Sequence, residues 1–120
     1  MSNNHISNKA YNSIFKSSFD SILLTDADAK ILSANPSAEV LFGYSEEELI
    51  KFNVSQIVDI HDYQFDFKTL QSKISQITLL KNGGTKFKAE LSINIFKDDN
   101  NEDKFTLIIK DCSRISLQKK

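Results

Sequence analysis

Apolar residues fall into two repeating patterns along this chain, and each predicts its own kind of element. In FKAELSINIF, residues 87 to 96, they alternate: Phe87, Ala89, Leu91, Ile93 and Ile95 share one side. A period of two marks a strand with one buried face. KFTLIIKD, 104 to 111, reads as a closing strand after a polar loop, and 75 to 81 as another. SILLTD, 21 to 26, and KILSA, 30 to 34, read as a hairpin about an Asp-Ala-Asp-Ala turn. Asn82-Gly83 is the best hairpin signal in the sequence.

Helical spacing accounts for most of the rest. Tyr11, Ile14, Phe15 and Ser18 predict a short helix over 10 to 18, with Ile14 and Phe15 facing something apolar. Tyr63, Phe67, Leu70 and Ile74 are spaced by four, three and four, which predicts one helical face over 62 to 74. Between these, ILSANPSAEVLFGYSEEEL, 31 to 49, breaks and restarts. Asn35 suits an N-cap, and Pro36 suits the first turn, where its missing N–H costs little. Val40, Leu41 and Phe42 are expected to bury one side, and Gly43 to end the helix in the left-handed region. Ser45 and Glu48 have the spacing of a capping box, so a second helix starts at 46. VSQIV, 54 to 58, predicts one more short turn.

The order is helix, two strands, several short helices, three strands. That predicts an α+β fold: one five-stranded antiparallel sheet, short helices over one face, and an N-terminal helix. A chain of 120 residues with 40% hydrophobic and 26% charged residues suits a single domain with a real core. Its net charge of -1 gives no basic excess for nucleic acid. No apolar run approaches the length of a membrane helix, so no membrane contact is expected of this domain. The start, MSNNHISNK, is polar without a signal-peptide core, and residues 1 to 9 are expected to be a flexible arm. The single cysteine, Cys112, cannot form an internal disulfide, which fits a reducing, cytoplasmic setting.

The segments IFKSSFDSILLTDADAKILSANPSAEVLFGYSEEELI, KNGGTKFKAELS and LIIKDCSRI together resemble a PAS domain. Asn35, Ala38, Gly43 and Tyr44 match that family's N-x-A-x-x-x-x-G-Y segment, and Lys81 and Gly83 its late K-x-G hairpin. The resemblance covers residues 10 to 114, with 115 to 120 expected to begin a linker. It departs at Ala29, where the family commonly has glycine, and at Asp111-Cys112-Ser113, where it commonly has Asp-Ile-Thr. The resemblance implies a sensory or dimerising module placed ahead of an output domain such as a histidine kinase or a cyclic-nucleotide enzyme. It also implies that Asp111 and Ser113 form the signal-output junction.

Catalysis within this chain is not expected. One cysteine and two histidines, His5 and His61, give neither a nucleophile-base pair nor metal-ligand spacing. Glu46, Glu47 and Glu48 suit the positive end of a helix rather than acid-base chemistry. Haem is not expected, since His61 lies at or before the start of the long helix. Flavin is not expected either, since Cys112 lies outside the segment that carries the photoreactive cysteine in the flavin-binding branch. Leu24, Leu91, Ile93, Leu107 and Ile109 are the candidates for a pocket wall, closed by Leu41, Phe42, Phe67 and Leu70. A small ligand of unknown identity, or the side chains themselves, would fill that space. Tyr11, Ile14 and Phe15 are candidates for the face of a homodimer helix.

Overall fold

The computed structural model describes residues 8–59 and 74–112. The elements are α1 (Asn8–Ser17), β1 (Ser21–Asp26), β2 (Ile31–Ala34), α2 (Pro36–Phe42), α3 (Glu46–Leu49), a 3₁₀ turn (Val54–Gln56), β3 (Ile74–Leu80), β4 (Lys86–Lys97) and β5 (Asp103–Asp111). The strands form one five-stranded sheet in the order β2-β1-β5-β4-β3, with every neighbouring pair antiparallel. The α+β architecture agrees with the pattern of the sequence. The helix expected over 62 to 74 lies outside the described residues except at its end, where Ile74 already begins β3.

The sheet's inner face carries Leu23, Ile77, Leu79, Phe87, Leu91, Ile93, Phe105, Leu107 and Ile109, all buried. Ala38 and Phe42 of α2, Leu49 of α3, and Val54, Ile57 and Val58 close over it in one apolar cluster. Phe42 meets Phe87 edge-on, with ring centroids 5.9 Å apart, a geometry that adds to simple burial. Leu24 corrects the sequence reading. Leu23 pairs with Leu107 on the inner face, whereas Leu24 pairs with Thr106 and stands half-buried on the outer face. Val40 is a second correction. It is 84% exposed, and α2 buries only Ala38 and Phe42 fully.

Residues 52 to 59, on either side of the 3₁₀ turn, pair with both edges of the sheet. Beside β2, the Ile31 N–H donates to the Phe52 carbonyl, Lys30 pairs with Asn53, and the Val54 N–H donates to Ala29. Beside β3, Val58 pairs with Leu79, and the Asp59 N–H donates to Thr78. Backbone groups that an edge strand leaves open thus find partners within the chain.

Two hairpins share one turn design at the same end of the sheet. Asp26 Oδ1 accepts from the N–H groups of Asp28 and Lys30, both at 2.9 Å. Asp98 Oδ1 accepts from Asn100 and Glu102 at 2.9 Å each. Both turns need a left-handed residue at the fourth position, taken by Ala29 (φ 70°) and Asn101 (φ 63°). Asparagine tolerates that region, but alanine is strained in it. The turn therefore keeps the glycine-like conformation that the resemblance implied at Ala29.

Candidate functional site

Asn35 organises the end of the sheet opposite those two turns. It is fully buried, and its side-chain amide makes all four of its hydrogen bonds. Oδ1 accepts from the N–H groups of Ala38 (3.0 Å) and Ile22 (2.9 Å). Nδ2 donates to the carbonyls of Phe15 (3.0 Å) and Asp20 (2.9 Å). The N-cap expected from Asn35-Pro36 is present, but it is one of four duties. The same side chain ties α1, the approach to β1, β1 itself and α2. Only the cap was readable, since the other three partners are backbone groups distant in sequence.

The acidic run after Gly43 also has structural work. Ser45 and Glu48 form the expected capping box. Glu46 Oε2 accepts from the Ser33 hydroxyl (2.8 Å) and the Ala34 N–H (3.1 Å), which fixes α3 to β2. Glu47 is exposed. Among the described residues, no group of three or more His, Cys, Asp or Glu side chains is placed to hold a metal ion.

Of the pocket candidates, Phe42, Leu91, Ile93, Leu107 and Ile109 come together in the buried cluster. Phe67 and Leu70 lie outside the described residues, as does His61. Leu41 is half-buried, and it packs against the edge of that cluster. It lines an open groove of about 580 Å³ at the end of the sheet where β1 begins and β5 ends. Ile109 and Asp111 are also among its lining residues. Phe19 and Val40 line it too and are strongly exposed. Sequence reasoning missed this groove, because Phe19 follows α1 outside any repeating pattern and Val40 was assigned to the core.

On α1, Phe15 is buried and Ile14 is 62% exposed. Tyr11 lies on the same helix, its side chain outside the described set. Asp111 ends β5, and Cys112 continues the pairing through a bond from its N–H to the Lys88 carbonyl at 2.9 Å. The Cys112 thiol is half-buried and contacts the Lys110 carbonyl at 3.7 Å. Ser113 lies outside the described residues.

A family model described as PAS domain matches residues 20–114. The chain belongs to the PAS domain family. The PAS domain of a Colwellia psychrerythraea protein superposes with a TM-score of 0.76 at 22% identity, over 88% of this chain and 97% of that one. A PAS domain from a two-component sensor histidine kinase gives a TM-score of 0.76 at 15% identity, over 86% of this chain and 94% of that one. In sequence, the chain is 28% identical over 82 residues to the sensor histidine kinase TmoS of Ectopseudomonas mendocina. That match spans 68% of this chain but 8% of the kinase. This PAS domain therefore resembles those of sensor histidine kinases, and PAS domains are sensory modules. Among the described residues, no helix is long and apolar enough to cross a membrane.

Proposed function

We propose that this PAS domain is the input module of a larger cytoplasmic signalling protein, a sensor histidine kinase, and responds to a small ligand held against the sheet's inner face. The observation behind this reading is the course of β5. Phe105, Leu107 and Ile109 are buried in the inner wall, and two residues beyond Ile109 the strand ends at Asp111. A ligand that changes packing on that wall acts on the strand that leaves the domain, and so biases one of two arrangements of the exit. Asp111 and Ser113 then form the junction to the output domain. On this reading the domain carries no catalysis of its own and uses neither haem nor flavin.

The test is native mass spectrometry of the protein purified from cells, followed by NMR titration with a metabolite panel. A ligand is expected to move the methyl signals of Leu91, Ile93 and Leu107 together with the amides of Asp111 and Cys112. No co-purifying mass, with both sets of signals unmoved across the panel, would overturn the reading.

A ligand-free dimerising module is the second reading, favoured by Ile14, which is exposed on a helix whose next residue is buried. Two copies of α1 pairing through Ile14 would form a symmetric dimer. Sedimentation should then show a dimer that Ile14→Glu dissociates. A monomer at roughly tens of micromolar, where a weak interface still registers, would sink this reading.

A further inference from the structure

Asparagine is thermolabile because the backbone nitrogen of the next residue can displace its side-chain amide. The reaction needs a following residue that has an N–H and no crowding side chain. Asn82 precedes Gly83. By contrast, Asn35 precedes a proline, which has no N–H, and Asn94 precedes Ile95, whose branched side chain crowds the approach. Asn82 and Gly83 are both exposed, and a Cβ built at Gly83 would meet nothing within 4 Å. Among the described residues, none accepts a hydrogen bond from the Gly83 N–H. The attacking nitrogen is therefore open to solvent and not engaged elsewhere.

The asparagine side chain, in contrast, is held. Its Nδ2 donates to the Gly43 carbonyl at 2.9 Å, and its backbone N–H donates to the Phe42 carbonyl at 2.8 Å. The Gly84 N–H closes the turn on the Lys81 carbonyl at 2.8 Å. Ring closure has to take Nδ2 away from Gly43, so it runs through a local opening of the hairpin tip.

We propose that Asn82 is a site of spontaneous deamidation, gated by its own hold on Gly43, and that its isoaspartate product detaches the late hairpin from α2. The Gly83 nitrogen bonds to Asn82 Cγ, the Cγ–Nδ2 bond breaks, and ammonia leaves with the Gly83 proton. Water then opens the resulting succinimide. Addition at Cγ gives aspartate, and addition at the main-chain carbonyl gives isoaspartate, whose backbone runs through Cβ and Cγ. The leaving nitrogen is the donor that grips α2. The new carboxylate only accepts, so it cannot replace that donor at the Gly43 carbonyl. In isoaspartate the lengthened backbone also displaces the turn bond from Gly84 to Lys81. The proposal does not depend on a ligand at the inner face.

Ageing the intact protein at mildly alkaline pH, followed by peptide mapping with electron-transfer fragmentation, tests it. Asn82 is expected to convert mainly to isoaspartate while Asn94 in the same sample stays intact. Two ordinary hydrogen bonds hold the native residue, so the reaction should run at least about tenfold faster in denaturing urea. In the aged protein, hydrogen exchange should rise at the Gly43 N–H, which bonds to the Glu39 carbonyl at 2.9 Å in the intact fold. Asn82→Gln keeps an amide but must close a larger, slower-forming ring, so it should age without that rise. Asn82 reacting no faster than Asn94, aspartate without isoaspartate, equal rates in urea and native buffer, or Gly43 exchange that is unchanged in the parent or rises equally in Asn82→Gln would each overturn the proposal.

Discussion

Asn82 grips the end of α2 through Gly43. Its Nδ2 donates to the Gly43 carbonyl at 2.9 Å, and its backbone N–H donates to the Phe42 carbonyl at 2.8 Å. The late hairpin thus terminates the first helix after the early hairpin, although the two lie 39 residues apart. Gly43 has φ of 76°, and a Cβ there would sit 3.4 Å from the Asn82 Cβ. Gly43→Ala should therefore cost about 1–2 kcal/mol of left-handed strain. Asn82→Ala should cost about 1 kcal/mol for the lost bond. Urea unfolding of both single variants and the double variant should reveal a coupling of at least ~0.5 kcal/mol. Strict additivity would show that the two residues do not act together.

Asn35→Asp is the sharper test of the buried amide. Aspartate keeps an acceptor for Ala38 and Ile22 but turns a second oxygen toward the carbonyls of Phe15 and Asp20. Two buried carbonyls lose their donor and face a like partial charge, so a loss of about 3 kcal/mol or more is expected. Hydrogen exchange should rise first at Ile22 and Ala38 and around the α1 to β1 connection. A stability within 1 kcal/mol of the parent (roughly the size of one ordinary hydrogen bond) would refute this account.

Ala29→Gly should stabilise the protein, against the usual direction of that change. Relief of the left-handed strain is worth about 1–2 kcal/mol. Greater freedom of glycine in the unfolded chain takes back about 0.4–1 kcal/mol. The net gain expected is about 0.5 kcal/mol, enough to raise the melting temperature of a domain this size by a few degrees. A lowered melting temperature would mean that the Ala29 methyl, which packs against the core, matters more than the strain.

The turn of Asp98 predicts an acid-side loss of stability. Lys104 Nζ lies 2.9 Å from Asp98, and that hydrogen bond, followed by the backbone N–H of Glu102, holds the Asp98 carboxyl below its ordinary value of 3.8. A depressed carboxylate stabilises the fold above its unfolded value, and the contribution fades as pH falls through the lower folded value. Lys104 is raised above its ordinary 10.5, first by the same bond to Asp98. Its contribution is complete below 10.5 and fades as pH rises through the higher folded value. Asp98→Asn keeps an oxygen for the Asn100 and Glu102 N–H groups but removes the ion pair. Its denaturation midpoint should therefore drop near neutrality and change less than the parent's below pH 4 (roughly the ordinary carboxylate range). Parallel pH profiles for parent and variant would exclude the pair as a source of the acid dependence.

The sequence was most legible where side chains alternate or cap. FKAELSINI placed Phe87, Ala89, Leu91 and Ile93 on the correct face, because lysine, glutamate, serine and asparagine fill the other. Asn35, Gly43 and the Ser45–Glu48 box were readable as local chemistry. β1 was not. Ile22, Leu23 and Leu24 are all apolar, so period two has no phase, and the inner face carries Ser21 and Thr25 as well as Leu23. Helical spacing assigned Ile74 to a helix, but it begins β3, because an apolar residue at that spacing also suits the start of a strand. Asn82-Gly83 signalled a turn, but the loop spans five residues, with the Lys81 N–H bonded to the Thr85 carbonyl. The pairing of 52–54 and 57–59 with the sheet edges left no trace in the sequence, since backbone bonds do not depend on side-chain type.

That edge pairing bears on how the domain keeps company. A bare edge strand invites a strand from another molecule, and from there ordered aggregation. Here β2 is only four residues long and β3 is partnered by Val58 and Asp59, so neither offers an unbroken row of free backbone groups. Such a domain can sit beside other folded units in one polypeptide, or beside its own copies at high concentration, without exchanging strands.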